Sequence, residues 1–303
     1  MYVVNSLPLA ILFCIITMLG WGSWANTQKL AGKEKWPFEL FYWDYAIGVF
    51  LFSLIFAAVL GGGFRIVAAA TIPALISGGI FNLANLLLVV GIDAAGMSVA
   101  FPVGVGLALV IGTVESYLEE PKGNPSFLFA GVALIVFAMI MSGAARQTVG
   151  KNRSRGLIFS AIAGCIMGFF YPQLMRSIGP GKLTPYVALV FFGAGVLLSN
   201  FVVNTVFMKT GGVTYADYFR GSAKLHLIGI LGGSIWMVAL CLNVIASNVA
   251  GPAISYALGQ GATLIAAIWG VFIWREKGNI LYITLMFIGY ASGLILIGAA
   301  TLH

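Results

Sequence analysis

The chain has 303 residues, 60% of them hydrophobic and only 8% charged, with a net charge of +7 and a mean hydropathy of +1.02. A membrane-crossing helix needs ~20 mostly apolar residues to span a ~30 Å hydrocarbon core, and at this composition nearly the whole chain goes into such stretches. No length remains for a soluble domain, so soluble-enzyme and nucleic-acid-binding readings are excluded and the work must be done inside the bilayer.

Ten apolar stretches are predicted, at 6–27, 38–60, 66–91, 95–117, 126–145, 156–176, 184–208, 224–247, 251–273 and 280–301. The first has no Lys or Arg before it and is too long for a signal h-region, so it reads as a retained helix. It ends Gly20-Trp21-Gly22-Ser23-Trp24-Ala25-Asn26. Trp21 and Trp24 fit interfacial anchors, as do Trp36, Trp269 and Trp274 further on, and Trp24 is also carried as a candidate substrate contact. Span 2 holds Asp44 between Trp43 and Tyr45. An intramembrane carboxylate marks a proton relay or a structural pair, so Asp44 is either the proton-coupling group or a partner of Lys33 or Lys35. In span 3, Asn82 and Asn85 share one helix face. Span 4 carries Gly104, Ala108 and Gly112 at steps of four, then Glu115 near its end, a second coupling candidate or a partner of Arg176 or Lys182.

Span 6 contains Tyr171-Pro172-Gln173. Pro172 should kink it, and Tyr171 and Gln173 join the candidate binding residues. Gly179-Pro180-Gly181-Lys182 lacks both the spacing and the strand–helix context of a phosphate loop. Asn200 and Asn204 on span 7 read as interhelical glue. Span 8 offers Trp236 as a stacking surface, span 9 offers Tyr256 and Gln260 beside Ser255 and Thr263, and Gly229/Gly233 and Gly289/Gly293 repeat the small-residue spacing on spans 8 and 10. Cys14, Cys165 and Cys241 read as small buried apolar residues without disulfide or metal spacing. His226 and His303 are too few for a metal cluster or a triad. No enzyme constellation, cofactor site or metal site is expected.

All sixteen Lys and Arg lie at helix ends or in joints, twelve in odd-numbered joints and four in even ones. Cytoplasmic loops accumulate these residues, which puts the joint at 146–155 inside and both termini outside, in a multi-pass protein of the cell (bacterial inner) membrane. The basic excess orients the chain and implies no nucleic acid.

The sequence also resembles itself at an offset of 155. Gly104-Val105-Gly106 matches Gly259-Gln260-Gly261, Lys122-Gly123-Asn124 matches Lys277-Gly278-Asn279, and Gly143-Ala144-Ala145 matches Gly298-Ala299-Ala300. Gly78-Gly79 matches Gly232-Gly233 with a one-residue shift, which makes Asn82 the counterpart of Trp236, while Phe101 and Val105 match Tyr256 and Gln260. Gly20 has a looser counterpart in Gly168. An odd number of spans per half forces the halves to insert oppositely. The fold expected is all-α integral membrane, with ten transmembrane helices as two inverted five-helix repeats at 1–147 and 156–303 and a cytoplasmic connector at 148–155. Substrate in such folds binds near the midplane between the halves.

Ten spans with short joints resemble the drug/metabolite transporter superfamily. The opening Met1-Tyr2-Val3-Val4, Trp43-Asp44-Tyr45, Gly78-Gly79-Ile80 with Asn85-Leu86, and Val110-Ile111-Gly112-Thr113 with Tyr117-Leu118-Glu119-Glu120 resemble the ureide permease family. The likeness fades in the second half and shades into the bacterial glucose/ribose and rhamnose porters. The resemblance implies a secondary carrier importing a ureide or nucleobase-like solute with a proton. The alternatives are a monosaccharide:proton symporter or an uncoupled facilitator. The candidate binding residues are Trp24, Asn82, Asn85, Tyr171, Gln173, Trp236, Tyr256 and Gln260, with Asp44 and Glu115 for the proton. The partners are a small solute, a proton and the bilayer, in a monomer or homodimer.

Overall fold

In the computed structural model the described residues are 1–95, 97–145, 152–273, 275 and 278–302, with side chains other than those of Asp93, Met97, Ser98, Val99 and Phe101. The connector at 148–151, the basic residues Arg146, Lys151 and Lys277, and Trp274 and His303 lie outside them.

Ten helices long and apolar enough to cross a membrane account for almost all of this length. They are α1 (Leu7–Lys33), α2 (Phe38–Leu60), α3 (Ala68–Ala95), α4 (Met97–Glu119), α5 (Pro125–Ala145), α6 (Arg153–Met175), α7 (Pro185–Gly211), α8 (Ala223–Ala250), α9 (Pro252–Ile273) and α10 (Ile280–Ala299). A short amphipathic turn of helix, Tyr215–Phe219, joins α7 to α8. The starts are set by capping side chains in the polar joints. Asn152 accepts from the Arg155 N–H, Thr184 from Val187, Ser222 from Leu225 and Asn279 from Leu281. Each satisfies an amide that the helix itself leaves orphaned.

Three helices are interrupted near their middles. α6 breaks between Gly168 and Phe170. That is one turn before Pro172, where the missing proline N–H leaves a carbonyl free. α9 breaks at Gln260–Gly261 and ends in a π-turn, Trp269–Ile273. α1 hitches at Trp24. Only the α6 break has a proline to announce it.

The packing fits the inverted repeat. α1 packs on α8 and α9 as α6 packs on α3 and α4, α2 packs on α8 as α7 packs on α3, and α2–α7, α4–α9 and α5–α10 pair across the halves. The matched triplets make reciprocal bonds: Asn124 N–H donates to the Ala300 carbonyl at 2.9 Å, and Asn279 N–H to the Ala145 carbonyl at 3.0 Å. The glycines fix the register. A Cβ on Gly78 would lie 2.1 Å from the Phe192 carbonyl oxygen, and one on Gly233 would lie 2.0 Å from that of Tyr45. Gly195 would meet Leu75 and Gly48 would meet Ile230 in the same way, at 2.1 and 2.2 Å. Gly78 therefore stands opposite Gly233, at the same offset of 155 as the triplets, and the one-residue shift read from the sequence is unnecessary.

The other small-residue stripes are also contacts. Gly293 approaches the Gly131 carbonyl and Gly112 faces the Tyr256 ring. Cys14 and Cys241 are buried, whereas Cys165 is exposed on the outside of α6.

Candidate functional site

The centre of the bundle is a cluster of rings where the halves meet. With the offset of 155, Trp236 on α8 stands opposite Phe81 on α3, and their centroids are 4.3 Å apart. Trp21 of α1 stacks on Trp236 at 5.8 Å, and its Nε1 donates to the Trp236 carbonyl at 3.3 Å. Phe170 of α6 lies 5.4 Å from Phe81. Each ring of the central pair is thus flanked by a ring from the broken helix beside it.

A cavity of about 210 Å³ opens from this cluster, lined by Trp21, Trp24, Phe81, Phe170 and Trp236 with the polar edges of Gln28, Asn85, Gln260 and Thr263. Among the described residues that line it, none is charged. At ~30 Å³ per water the space holds roughly seven waters, the scale of one small ring compound. The break in α9 is what turns Gln260 inward. Its carbonyl accepts from Thr263 Oγ1 at 3.0 Å, which anchors the second half of the helix. Asn85 Nδ2 donates to Tyr42 Oη at 3.1 Å, so that amide is held at a fixed angle. The lining runs along α1 from Trp21 to Gln28, along α3 from Phe81 to Ile92 and along α9 from Gln260 to Ala266. The cavity therefore leads from mid-helix toward the end where the basic joints lie. In the opposite direction the stacked pair Tyr171–Tyr256, centroids 4.9 Å apart, fills the core.

Four of the residues expected to bind line this cavity: Trp24, Asn85, Trp236 and Gln260. The other four lie elsewhere. Asn82 is fully buried against α7, donating to Ser199 Oγ at 2.9 Å. Tyr171 and Tyr256 form the plug just described, with Tyr256 Oη donating to the Ala108 carbonyl at 3.3 Å. Gln173 Oε1 accepts from Arg176 at 2.9 Å. Trp21 and Trp24 are not at a lipid interface, since they face the cavity, and Trp269 donates to Ser23 Oγ at 2.9 Å. Val105, the counterpart of Gln260, does line the cavity. Phe101, the counterpart of Tyr256, has no described side chain. Trp21 was read only as an interfacial anchor and Phe81 and Phe170 were not singled out, because helices apolar all round show no stripe to mark the inward face.

At the other end a wider depression of about 690 Å³ is lined by Met1–Val4 and by Glu119, Glu120, Lys122, Arg176 and Lys182. Arg176 bridges α6 to α4 through Glu119 and, at 2.8 Å, Glu115. The hydrogen bond that Arg176 donates to Glu119 and the charges of the two carboxylates hold the guanidinium's pKa above its usual range. Glu115 is thus in the ion pair with Arg176 weighed for it from the sequence. The depression is exposed, and Arg176 with Glu115 and Glu119, like Lys122 with Glu120, forms ion pairs there, so the enclosed aromatic cavity is the better candidate for a neutral solute.

Asp44 is 1% exposed, and its partners come from distant segments. Tyr218 Oη donates to it at 2.6 Å, and His226 Nδ1 lies 2.9 Å from Oδ2. These contacts span 174 and 182 residues of sequence, where proximity in the chain had pointed to Lys33 or Lys35.

Comparison with known proteins agrees with this architecture. The family model described as "Sugar transport protein" matches residues 12–303. A Listeria monocytogenes protein named for sugar uptake is 25% identical over 94% of this chain and 95% of its own length. A Staphylococcus aureus protein named for glucose uptake is 24% identical over 76% of each chain. One crystal structure superposes with a TM-score of 0.66 over 95% of each chain at 16% identity, which speaks to the fold alone.

Proposed function

The chain belongs to the sugar transport protein family, and from that premise we propose that it imports a monosaccharide by alternating access, together with a proton. The observation that carries the substrate class is the central cavity. Aromatic faces suit the C–H faces of a sugar ring, and amide and hydroxyl edges suit its hydroxyls. Among the described lining residues none is charged, which favours a neutral solute. A ureide or nucleobase could also stack and hydrogen-bond there. The relatives, however, are named for sugar and glucose uptake, which favours the sugar over the ureide suggested by the first half of the sequence.

The two five-helix halves supply the machinery. Substrate sits where their broken helices meet, and rocking one half on the other exposes it to either side. With the basic joints in the cytoplasm and both termini outside, the present arrangement is open inward. The Tyr171–Tyr256 plug and the Arg176 bridge then close the outer side. The substrate class is tested by thermal unfolding of the purified protein with hexoses, pentoses, ureides and purines. Stabilisation by one or more sugars is expected, and stabilisation by a ureide or purine alone would reject the reading.

A further inference from the structure

The inverted repeat provides an internal control for Asp44. The α2–α8 contact and the α3–α7 contact are built alike, from Gly48 and Gly233 in one and Gly195 and Gly78 in the other. Carried through the same register, Asp44 falls opposite Phe191, and His226 falls opposite Thr71. In that second contact the positions do nothing polar between helices: Phe191 rests against Phe64, and Thr71 Oγ1 turns back to its own helix at the Val67 carbonyl. The crossing can therefore be made without a carboxylate and an imidazole. Burying them at only one of two equivalent crossings costs desolvation without a packing need, and such groups inside a membrane mark function.

The surroundings are specific. A Cβ on Gly229 would lie 2.4 Å from Asp44 Cβ, so the bare glycine lets the carboxylate sit directly against α8. Tyr218 of the short helix closes over it, and its phenol is raised above the usual range by burial first and then by the carboxylate. It therefore stays a proton donor. The His226 side chain is 23% exposed, so the ring meets water while Asp44, at 2%, does not. Two pairs of nearby charges are occupied with one another. Lys224 pairs with Glu34 at 2.9 Å, and Arg220 with Asp217 at 3.5 Å. Among the described residues, the other ionisable groups on the elements nearest Asp44 include Lys29, Lys33 and Lys35 on the end of α1 and its joint, Lys209 at the end of α7, Tyr215 on the short helix, and Glu39, Tyr42 and Tyr45 on α2. A hard metal cation needs a cage of oxygen ligands, whereas both Asp44 oxygens already accept donors. Imidazole is the side chain suited to exchanging a proton under physiological conditions.

The pair is also wired to the cavity. Along α2, Tyr45 follows Asp44, and its ring lies 4.9 Å from Trp24. Along α8, Gly233 seats against the Tyr45 carbonyl one turn before Trp236. We propose that Asp44 and His226 together form the proton-binding site of the carrier, covered by Tyr218 and placed on the α2–α8 contact so that its protonation biases the position of Trp236 and Trp24. This rests on the carrier reading above and assigns its coupling ion. A proton from the basic end adds to the imidazole, turning a net negative pair into a neutral imidazolium–carboxylate pair. Its release reverses the change, with no other bond made or broken.

Two measurements test this, one of them independent of the sugar. In purified full-length protein, diethyl pyrocarbonate acylates unprotonated imidazole, and mass spectrometry separates the chain's two histidines, His226 and His303. At one fixed pH, Asp44→Asn is expected to raise the rate at His226 several-fold, because the carboxylate that engages Nδ1 and favours the protonated ring is gone, while leaving His303 unchanged. A His226 rate that is indifferent to Asp44→Asn, or no reaction at any pH, overturns the pair. In liposomes with an imposed proton gradient, Asp44→Asn and His226→Gln are expected to lower hexose accumulation at least tenfold while exchange without a gradient persists. Variants that accumulate like wild type, or accumulation driven by sodium in place of protons, also overturn it. Failure of wild type to exchange any hexose rejects the sugar reading instead, and the acylation result still decides the pair.

Discussion

Trp236 touches more of the proposed chemistry than any other side chain: it stacks with Trp21, meets Phe81 across the halves and lines the cavity. Removing a stacked ring costs about 1 kcal/mol, and removing one hydrogen bond to substrate costs a similar amount. Trp236→Ala and Gln260→Ala are therefore each expected to weaken hexose binding several-fold, read by calorimetry, with the fold and expression retained. Unchanged affinity in both would leave the cavity without a binding role. Trp236, Gln260 and Asn85 were legible because polar and bulky residues in mid-membrane are few. Asn82 was expected beside Asn85 from their shared helix face, and the packing of α3 places it against Ser199 of α7 instead of in the cavity. His226 was legible only as a residue at a helix start. Its meeting with Asp44 depends on how α2 and α8 pack, and no local pattern encodes that.

At the scale of the helix, the crossings are the sensitive places. A methyl group at Gly78 or Gly233 would fall within about 2 Å of a backbone oxygen on the facing helix, which the backbone cannot yield without separating the pair. Overpacking of this kind costs ~1–3 kcal/mol or more, so Gly78→Ala and Gly233→Ala should each lower the unfolding temperature in detergent. Gly79→Ala is the control. Its nearest neighbour is 3.9 Å away, and alanine is the better helix former by ~1 kcal/mol, so that variant should be unchanged or more stable. If all three behaved alike, the close approach would not be what holds α3 on α7. Helix positions were readable from hydropathy to within a few residues except that α1 runs on from 27 to Lys33, and the α6 kink was readable from Pro172. The break in α9 was not, because Gln260–Gly261 is compatible with a continuous helix until tertiary packing interrupts it.

For the whole molecule, the repeat and the asymmetry of basic residues were both visible in the sequence, whereas which pairs of helices touch was not. The orientation proposed here rests on charge. A reporter fused after residue 303 should be extracytoplasmic and one placed within 146–155 cytoplasmic, and the reverse pattern would exchange the inner and outer roles of the two ends. The central claim is that a monosaccharide passes through the aromatic cavity. Its most direct test is counterflow in liposomes: unlabelled hexose inside should accelerate entry of labelled hexose from outside. Wild-type protein is expected to show this exchange and Trp236→Ala to show it only at several-fold higher sugar concentration. Exchange of a ureide or nucleobase with none for any hexose or pentose would contradict the account.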